Sequence, residues 1–254
     1  MKRIQLTFPQ RSDYLNSLKV LNKPKSSKEY HQLIEASASA YFETNRLTRW
    51  LFIKRFKLAL AYLENIGQVD SLLDAGTGIG FFLPTLTKVA KNVIAIDNTE
   101  YSLKYAKSMC NNLRIKNVSF KKTSLKKLPF KDNQFKVIVC LSVLEHVSPN
   151  ELPIVIDHFH RILKPGGFLI AGYPNEGSHL FKLIQTIEPL LIRPRVIMIL
   201  KNKRKLFDVL GHVSNSKQID RAIKNRFEAV SNKSLSFLQL KLYSLGKFRK
   251  INRN

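Results

Sequence analysis

The chain is short of several things. Its 254 residues include two cysteines, one tryptophan and three methionines, and only 18 acidic residues face 43 basic ones. Two cysteines, Cys110 and Cys140, make neither a disulfide framework nor a zinc site. Both read as small apolar core residues, and a reducing compartment, the cytoplasm, is the expected location. No window holds the roughly 18 uninterrupted apolar residues of a membrane span. The nearest stretch, LLIRPRVIMIL, is cut by Arg193, Pro194 and Arg195. The opening MKRIQLTFPQRSDY has no long apolar core, so no signal peptide is expected. Internal repeats are not visible.

The shortage of acid leaves a formal net charge of +25. The surplus is uneven: residues 1–70 hold 12 basic and 6 acidic side chains, 71–175 hold 14 and 7, and 176–254 hold 17 and 5. Such a balance suits a polyanionic partner, nucleic acid or an anionic membrane surface, and it equally suits a solvated lysine-rich surface. Charge reports association and solubility rather than fold.

Residues 1–40 are mixed and polar, with Pro9, Pro24 and a Ser-rich stretch, and read as a loosely ordered arm with one short helix at most. Over 45–66 the apolar residues Phe52, Ile53, Phe56, Leu60 and Leu63 follow a helical period, with Asn45 as cap and Gly67 as stop. From Ser71 the period changes. Short apolar runs (SLLDA, NVIAIDN, VSFKKTS, FKVIVCLSVL, GFLIAGYP) alternate with helical segments as far as Pro174. Thr99 is a candidate cap, and Lys164–Gly167 a turn. That alternation predicts an α/β fold, a doubly wound parallel sheet with helices on both faces. Residues 177–210 break the rhythm and read as a helical insert. A terminal helix and strand hairpin follow over 214–245. The expected organisation is an N-terminal arm and helical cover over 1–66 and a main domain over 67–254, with its core motifs at 71–175.

The first strand runs into LLDAGTGIGFF. Glycines after a strand let a ligand approach the backbone closely and tolerate positive φ, so Gly76, Gly78 and Gly80 mark a ligand-facing turn. A dinucleotide fingerprint needs a third small residue where Phe81 stands. Asp74, two residues before Gly76, would repel a pyrophosphate and attract an ammonium. No nucleoside-triphosphate loop is present. Asp97 closes the second strand, where an acid accepts hydrogen bonds from ribose hydroxyls.

These residues, followed by LPFKDNQFKVIVCLSVLEHV and RILKPGGFLI, resemble class I S-adenosylmethionine-dependent methyltransferases, in the branch called type 11. The resemblance covers about residues 71–175. It implies a Rossmann-like seven-stranded sheet, six strands parallel and one antiparallel. It also implies S-adenosyl-L-methionine as cofactor and S-adenosyl-L-homocysteine as product. The methionine ammonium would lie near Asp74 and Gly76, the ribose at Asp97, and the adenine close to Asn98, with Leu141 also on the cofactor's path. Ser124 stands where the family usually has an Asp for the adenine amino group; serine still accepts a hydrogen bond, and Leu125 can offer its backbone to the ring. Lys136 replaces the usual acid after Phe135, a change read as structural.

The acceptor side belongs to the variable parts of the chain. Glu145 and His146 follow the fourth strand and are candidates for catalysis, although this sequence also starts helices in enzymes of many specificities. Ubiquinone-type O-methyltransferases carry a metal-assisted E-x-x-E-H here. Ser142 takes the place of its first Glu, so the set is incomplete and no metal is predicted. Trp50, Tyr173, Asn175, His179 and His212 are candidate acceptor-pocket residues; His158 and His160 are expected to be exposed or packed. Leu183, Ile187, Leu190, Leu191 and Ile197 suggest a greasy wall, with Lys201, Lys203, Arg204 and Lys205 next to it. Residues 190–206 read either as a lid on their own domain, which is preferred, or as a peripheral contact with an anionic inner membrane face. The expected activity is methyl transfer by direct displacement to a small-molecule acceptor that is lipid-, quinone- or glycolipid-like. An RNA methyltransferase is the alternative, against which Cys140–Val143 lack the D/N-P-P-Y/F of base N-methyltransferases. A non-catalytic protein of the same fold is the second.

Overall fold

Residues 4–20, 41, 46–175, 212–237 and 240–251 are described by the computed structural model. The insert at 177–210, the cap Asn45 and His179 lie outside them. The elements run α1 (Arg11–Val20), α2 (Arg46–Ile66), β1 (Val69–Ala75), α3 (Leu83–Val89), β2 (Ala90–Asp97), α4 (Glu100–Asn112), β3 (Val118–Lys122), β4 (Phe135–Leu141), a 3-10 turn (Leu144–His146), α5 (Leu152–Ile162), β5 (Leu163–Pro174), α6 (Ser216–Lys224), β6 (Phe227–Phe237) and β7 (Leu240–Lys250).

Alternation along the strands builds two cores. Leu72, Val93, Ala95, Val137, Val139 and Ile170 face one side of the sheet, beneath α2, α3 and α4. Leu73, Ile96, Ile138, Cys140, Leu169 and Ala171 face the other, beneath α5 and α6. Successive side chains of a strand point to opposite faces, so near-continuous apolar runs are what a sheet covered on both sides requires. Burying each large side chain is worth about 1.5–3 kcal/mol. Cys110 and Cys140 are both free and buried in these cores.

The seven strands lie in the order β3-β2-β1-β4-β5-β7-β6. Strand β7 is antiparallel to β5 and β6, and the other six run parallel. The order reverses between β1 and β4, which opens a crevice at their carboxyl ends, where open α/β sheets bind ligands.

Several boundaries differ from the local sequence signals. Residues 4–10 are held to the body of the protein: Thr7 N donates to Thr85 Oγ1 (3.0 Å), and Thr85 Oγ1 donates to Thr7 O (2.7 Å). Phe8 stacks on Phe81. These partners are far away in the chain, so composition reads the segment as loose. The Lys164–Gly167 turn does not separate helix from strand: Leu163 already pairs with Phe135, and the register resumes at Val137 and Phe168. The turn is a bulge inside β5, with Gly166 at φ 63°. The final strand reaches Lys250 rather than residue 245. Thr99 occupies the N-cap of α4 without a side-chain cap bond; its N–H is instead turned to Asp97 Oδ1 at 2.9 Å.

Candidate active site

The glycine turn forms because β2 holds it. Gly76 N and Thr77 N both donate to Ile96 O, at 2.9 and 2.8 Å. Gly76 has φ +82°, and a Cβ there would stand 2.3 Å from Val143 Cγ2. The turn thus presses against the segment after β4, and only glycine fits. Gly78 donates its N–H to Asp97 Oδ2 at 2.9 Å. Gly80 plays another part. It lies outside the cavity lining, and a Cβ there would meet Ala106 Cβ and Leu83 Cδ1 at 2.9 Å. Two glycines face the cavity, and the third seats α4 against the turn.

Above the turn lies a cavity of about 510 Å³, within the usual size of a small-molecule site. Of the residues expected to hold the cofactor, Asp74, Gly76, Gly78, Asp97, Asn98, Ser124, Leu125 and Leu141 line it. Asp74 is 7% exposed. Burial pushes its carboxyl up to about 7; the nearby Thr77 hydroxyl acts the other way, and Asp97 adds to the rise. No positive group is among these influences, so a ligand ammonium would supply the missing charge. Burial raises Asp97 too, opposed by the backbone N–H groups of Thr99 and Gly78. Each Asp97 oxygen accepts one of those N–H groups and keeps lone-pair capacity for ribose hydroxyls. The residues therefore fit S-adenosylmethionine: an acid for its amino group, a glycine cradle, and an acid for its ribose. Ser124 Oγ accepts from Lys126 N at 3.2 Å, so this side chain shapes its own turn.

The remaining lining is mixed and includes a group of four aromatic rings and one guanidinium. Tyr41, Phe56, Phe81 and Phe82 line the cavity, with Tyr41 stacked on Phe81 at 3.9 Å between centroids. The Phe81 that breaks the dinucleotide fingerprint is part of this wall. Arg55, 6% exposed, reaches in from α2. Its Nη1 donates to Ser142 Oγ at 2.6 Å, and its Nη2 donates to the Tyr41 hydroxyl. Ser142 Oγ also shares a 3.0 Å hydrogen bond with the Tyr243 hydroxyl. Ser142 holds φ +57°, an uncommon state for a non-glycine residue, which marks a constrained site. Burial raises the Tyr41 and Tyr243 hydroxyls, with Arg55 opposing in each case. Burial acts to lower the Arg55 guanidinium, but Tyr41, Tyr243 and Glu145 outweigh it and keep it charged. Arg55, Tyr41 and Tyr243 were not named individually as site residues, although Arg55 and Tyr41 fall within the arm and helical cover expected over 1–66. One signal was available: Arg55 stands four residues before the fully buried Ala59, on the stripe of α2 that faces the core.

The expected acceptor-side residues scatter. His146 lines the cavity and is exposed, whereas its neighbour Glu145 is 2% exposed. Trp50 is 46% exposed, with Lys54 Nζ 4.5 Å above its ring. Tyr173 is buried and donates its hydroxyl to Asp220 on α6; burial, then Asp220, raises it strongly. Asn175 accepts from Ser216 Oγ at 3.1 Å. Trp50, Tyr173 and Asn175 do not line the cavity. His158 bonds Lys126 O and His160 bonds Ile251 O, both outside it. Lys136 Nζ donates to Gly166 O, also away from the site. His212 stands beside His146, with ring centroids 5.0 Å apart. Burial lowers it to about 4, so it is neutral near pH 7.

Fold and site together define an enzyme that binds S-adenosylmethionine at the carboxyl edge of its sheet. A family model described as a methyltransferase domain matches residues 73–171. A demethylmenaquinone methyltransferase of Tropheryma whipplei (strain Twist) is 26% identical over 189 residues, covering 73% of this chain and 76% of that protein. A ubiquinone biosynthesis O-methyltransferase of Rickettsia bellii (strain OSU 85-389) is 32% identical over 127 residues, 48% of this chain and 49% of the relative. Among solved structures, the N-methyltransferase NodS from Bradyrhizobium japonicum WM9 superposes with a TM-score of 0.60 at 18% identity, covering 80% of this chain and 97% of NodS. The chain carries a methyltransferase domain and is similar to S-adenosylmethionine-dependent methyltransferases.

Proposed function

We propose that the acceptor is a small, largely apolar molecule of the quinol or phenol class, methylated beside the Tyr41–Arg55–Tyr243 group. The observation that carries this reading is the wall itself. Four aromatic rings and one buried, charged guanidinium line the cavity together with Asp74, whose charge acts on Tyr41. Such a wall suits a ring-bearing acceptor with a polar oxygen. The relatives named for demethylmenaquinone and ubiquinone biosynthesis support the same class.

The bound cofactor supplies an already activated methyl group on a sulfonium. The chain's own task is alignment, worth up to about 7–11 kcal/mol in favourable cases. Asp74 would hold the cofactor's amino group and Asp97 its ribose. The aromatic wall excludes water, and His146 stands at the rim where an acceptor proton would leave. The test is incubation of the full chain with S-adenosylmethionine and either a prenylated demethylquinol or a short polar phenol, read by mass spectrometry. Methylation of the apolar quinol is expected. Methylation of neither compound, with cofactor binding intact, overturns the reading.

An apolar acceptor of this kind resides in lipid. The basic excess of residues 176–254 supports a cytoplasmic protein that meets an anionic membrane face peripherally. Among the described residues, no helix is long and apolar enough to cross a membrane.

A further inference from the structure

Glu145 and His146 are adjacent in sequence, and the fold brings a third group to them. Val213 N and Ser214 N donate to Glu145 O at 2.8 and 3.1 Å, and Ser214 Oγ donates to Val147 O at 2.6 Å. Ser214 is 2% exposed. These bonds pin the segment before α6 onto the 3-10 turn and set His212 against His146. One ligand atom from each of Glu145, His146 and His212 lies within 4.8 Å of the others.

We propose that Glu145, His146 and His212 form a binding site for a divalent transition-metal ion at the rim of the cavity. Two imidazoles and one carboxylate from two separate segments are a donor set for zinc, cobalt, manganese or ferrous iron. Magnesium and calcium prefer oxygen donors. Ligand bonds of about 2.0–2.2 Å require the three atoms to draw somewhat closer, which the exposed His146 ring can do by rotation. The protein supplies three ligands, so an ion held there keeps open positions, and His146 directs them toward the cavity. The existence of the site does not depend on the acceptor. Its role does rest on the quinol or phenol reading: an ion there would hold a ring oxygen and favour its deprotonated form.

The experiment strips the full chain with a chelator and titrates it with Co(II), following visible ligand-field absorption and metal content after dialysis. Zn(II) and Mg(II) serve as competitors. One Co(II) per chain is expected, displaced by Zn(II) and not by equimolar Mg(II). His212→Ala and Glu145→Gln should weaken binding by about tenfold or more, roughly 1.4 kcal/mol each, while S-adenosylhomocysteine binding reports that the fold persists. If His212→Ala does not fold, His212→Asn and the wild-type spectrum decide. Co(II) held no more tightly by wild type than by a folded His212 variant, or Mg(II) held as tightly as Co(II), overturns the site. Metal binding without quinol methylation removes the acceptor reading and leaves the site standing; methylation without metal binding does the reverse.

Discussion

Asp74 is the buried acid of the cavity and the proposed seat of the cofactor's amino group. A carboxyl raised to about 7 by burial is partly protonated at neutral pH and attracts an ammonium only when ionised. The native state keeps its proton between the unfolded value near 3.8 and about 7, so Asp74 contributes stability below that window and loses it as pH rises through it. Ligand binding has the opposite sign, because an ammonium favours the ionised form. Affinity for S-adenosylhomocysteine should therefore rise from pH 5 to pH 8, by up to about tenfold per pH unit on the acid side. In Asp74→Asn it should be weaker and nearly flat. Calorimetry at several pH values checks this, and a wild-type profile as flat as the variant's would remove Asp74 from the amino-group seat. At this scale the sequence was already informative about position: Asp74, Gly76, Gly78 and Asp97 all line the cavity. Gly80 did not follow, because a glycine that faces a ligand and one that seats a helix look the same in a sequence.

Helix α2 shows what an element adds. Its apolar stripe was legible and brings Phe56 to the cavity, but α2 also contributes the guanidinium of Arg55, which the stripe does not announce. Arg55→Met would remove the bonds to Tyr41 and Ser142 and should cost about 2–4 kcal/mol, the range for breaking a buried hydrogen-bonded charge. Arg55→Lys should recover less than half, because one ammonium cannot reproduce the two-armed geometry. Urea unfolding midpoints measure both, and a lysine variant as stable as wild type would show that only the charge matters. Helix α6 adds something different. Its capping box joins Asn215 and Gln218 through bonds of 2.9 and 3.1 Å. The box fixes the start of the helix next to Ser214 and so supports the placement of His212. Asn215 lies in a recognisable capping pattern, yet nothing near it in sequence says that His146 is the neighbour.

Across the whole molecule, charge is the property that local structure does not use. Among the described residues, the ion pairs are surface pairs such as Lys91–Asp70 and Lys104–Glu100, which contribute little each, and the net +25 remains after every acid is counted. Binding to vesicles rich in anionic lipid should be measurable at low salt, with about 1 kcal/mol per basic residue near the surface. It should fall steeply as salt shortens the screening length. Co-sedimentation on anionic and neutral vesicles tests this, with an unstructured RNA as competitor. Equal binding to neutral vesicles, or preference for the RNA, would overturn the membrane proposal.

The sequence by itself determined the sheet, the glycine turn and the position of the two acids that line the cavity. Strand periodicity and turn chemistry act over a few residues and leave a local imprint. Tertiary structure decided which side chains meet across long separations: Thr7 with Thr85, Arg55 with Ser142, Tyr41 with Phe81, and His212 with Glu145 and His146. Those contacts depend on how the ends of β1 and β4, helix α2 and the segment before α6 converge on one crevice. No short-range rule encodes that convergence, because it is settled only when both faces of the sheet are packed.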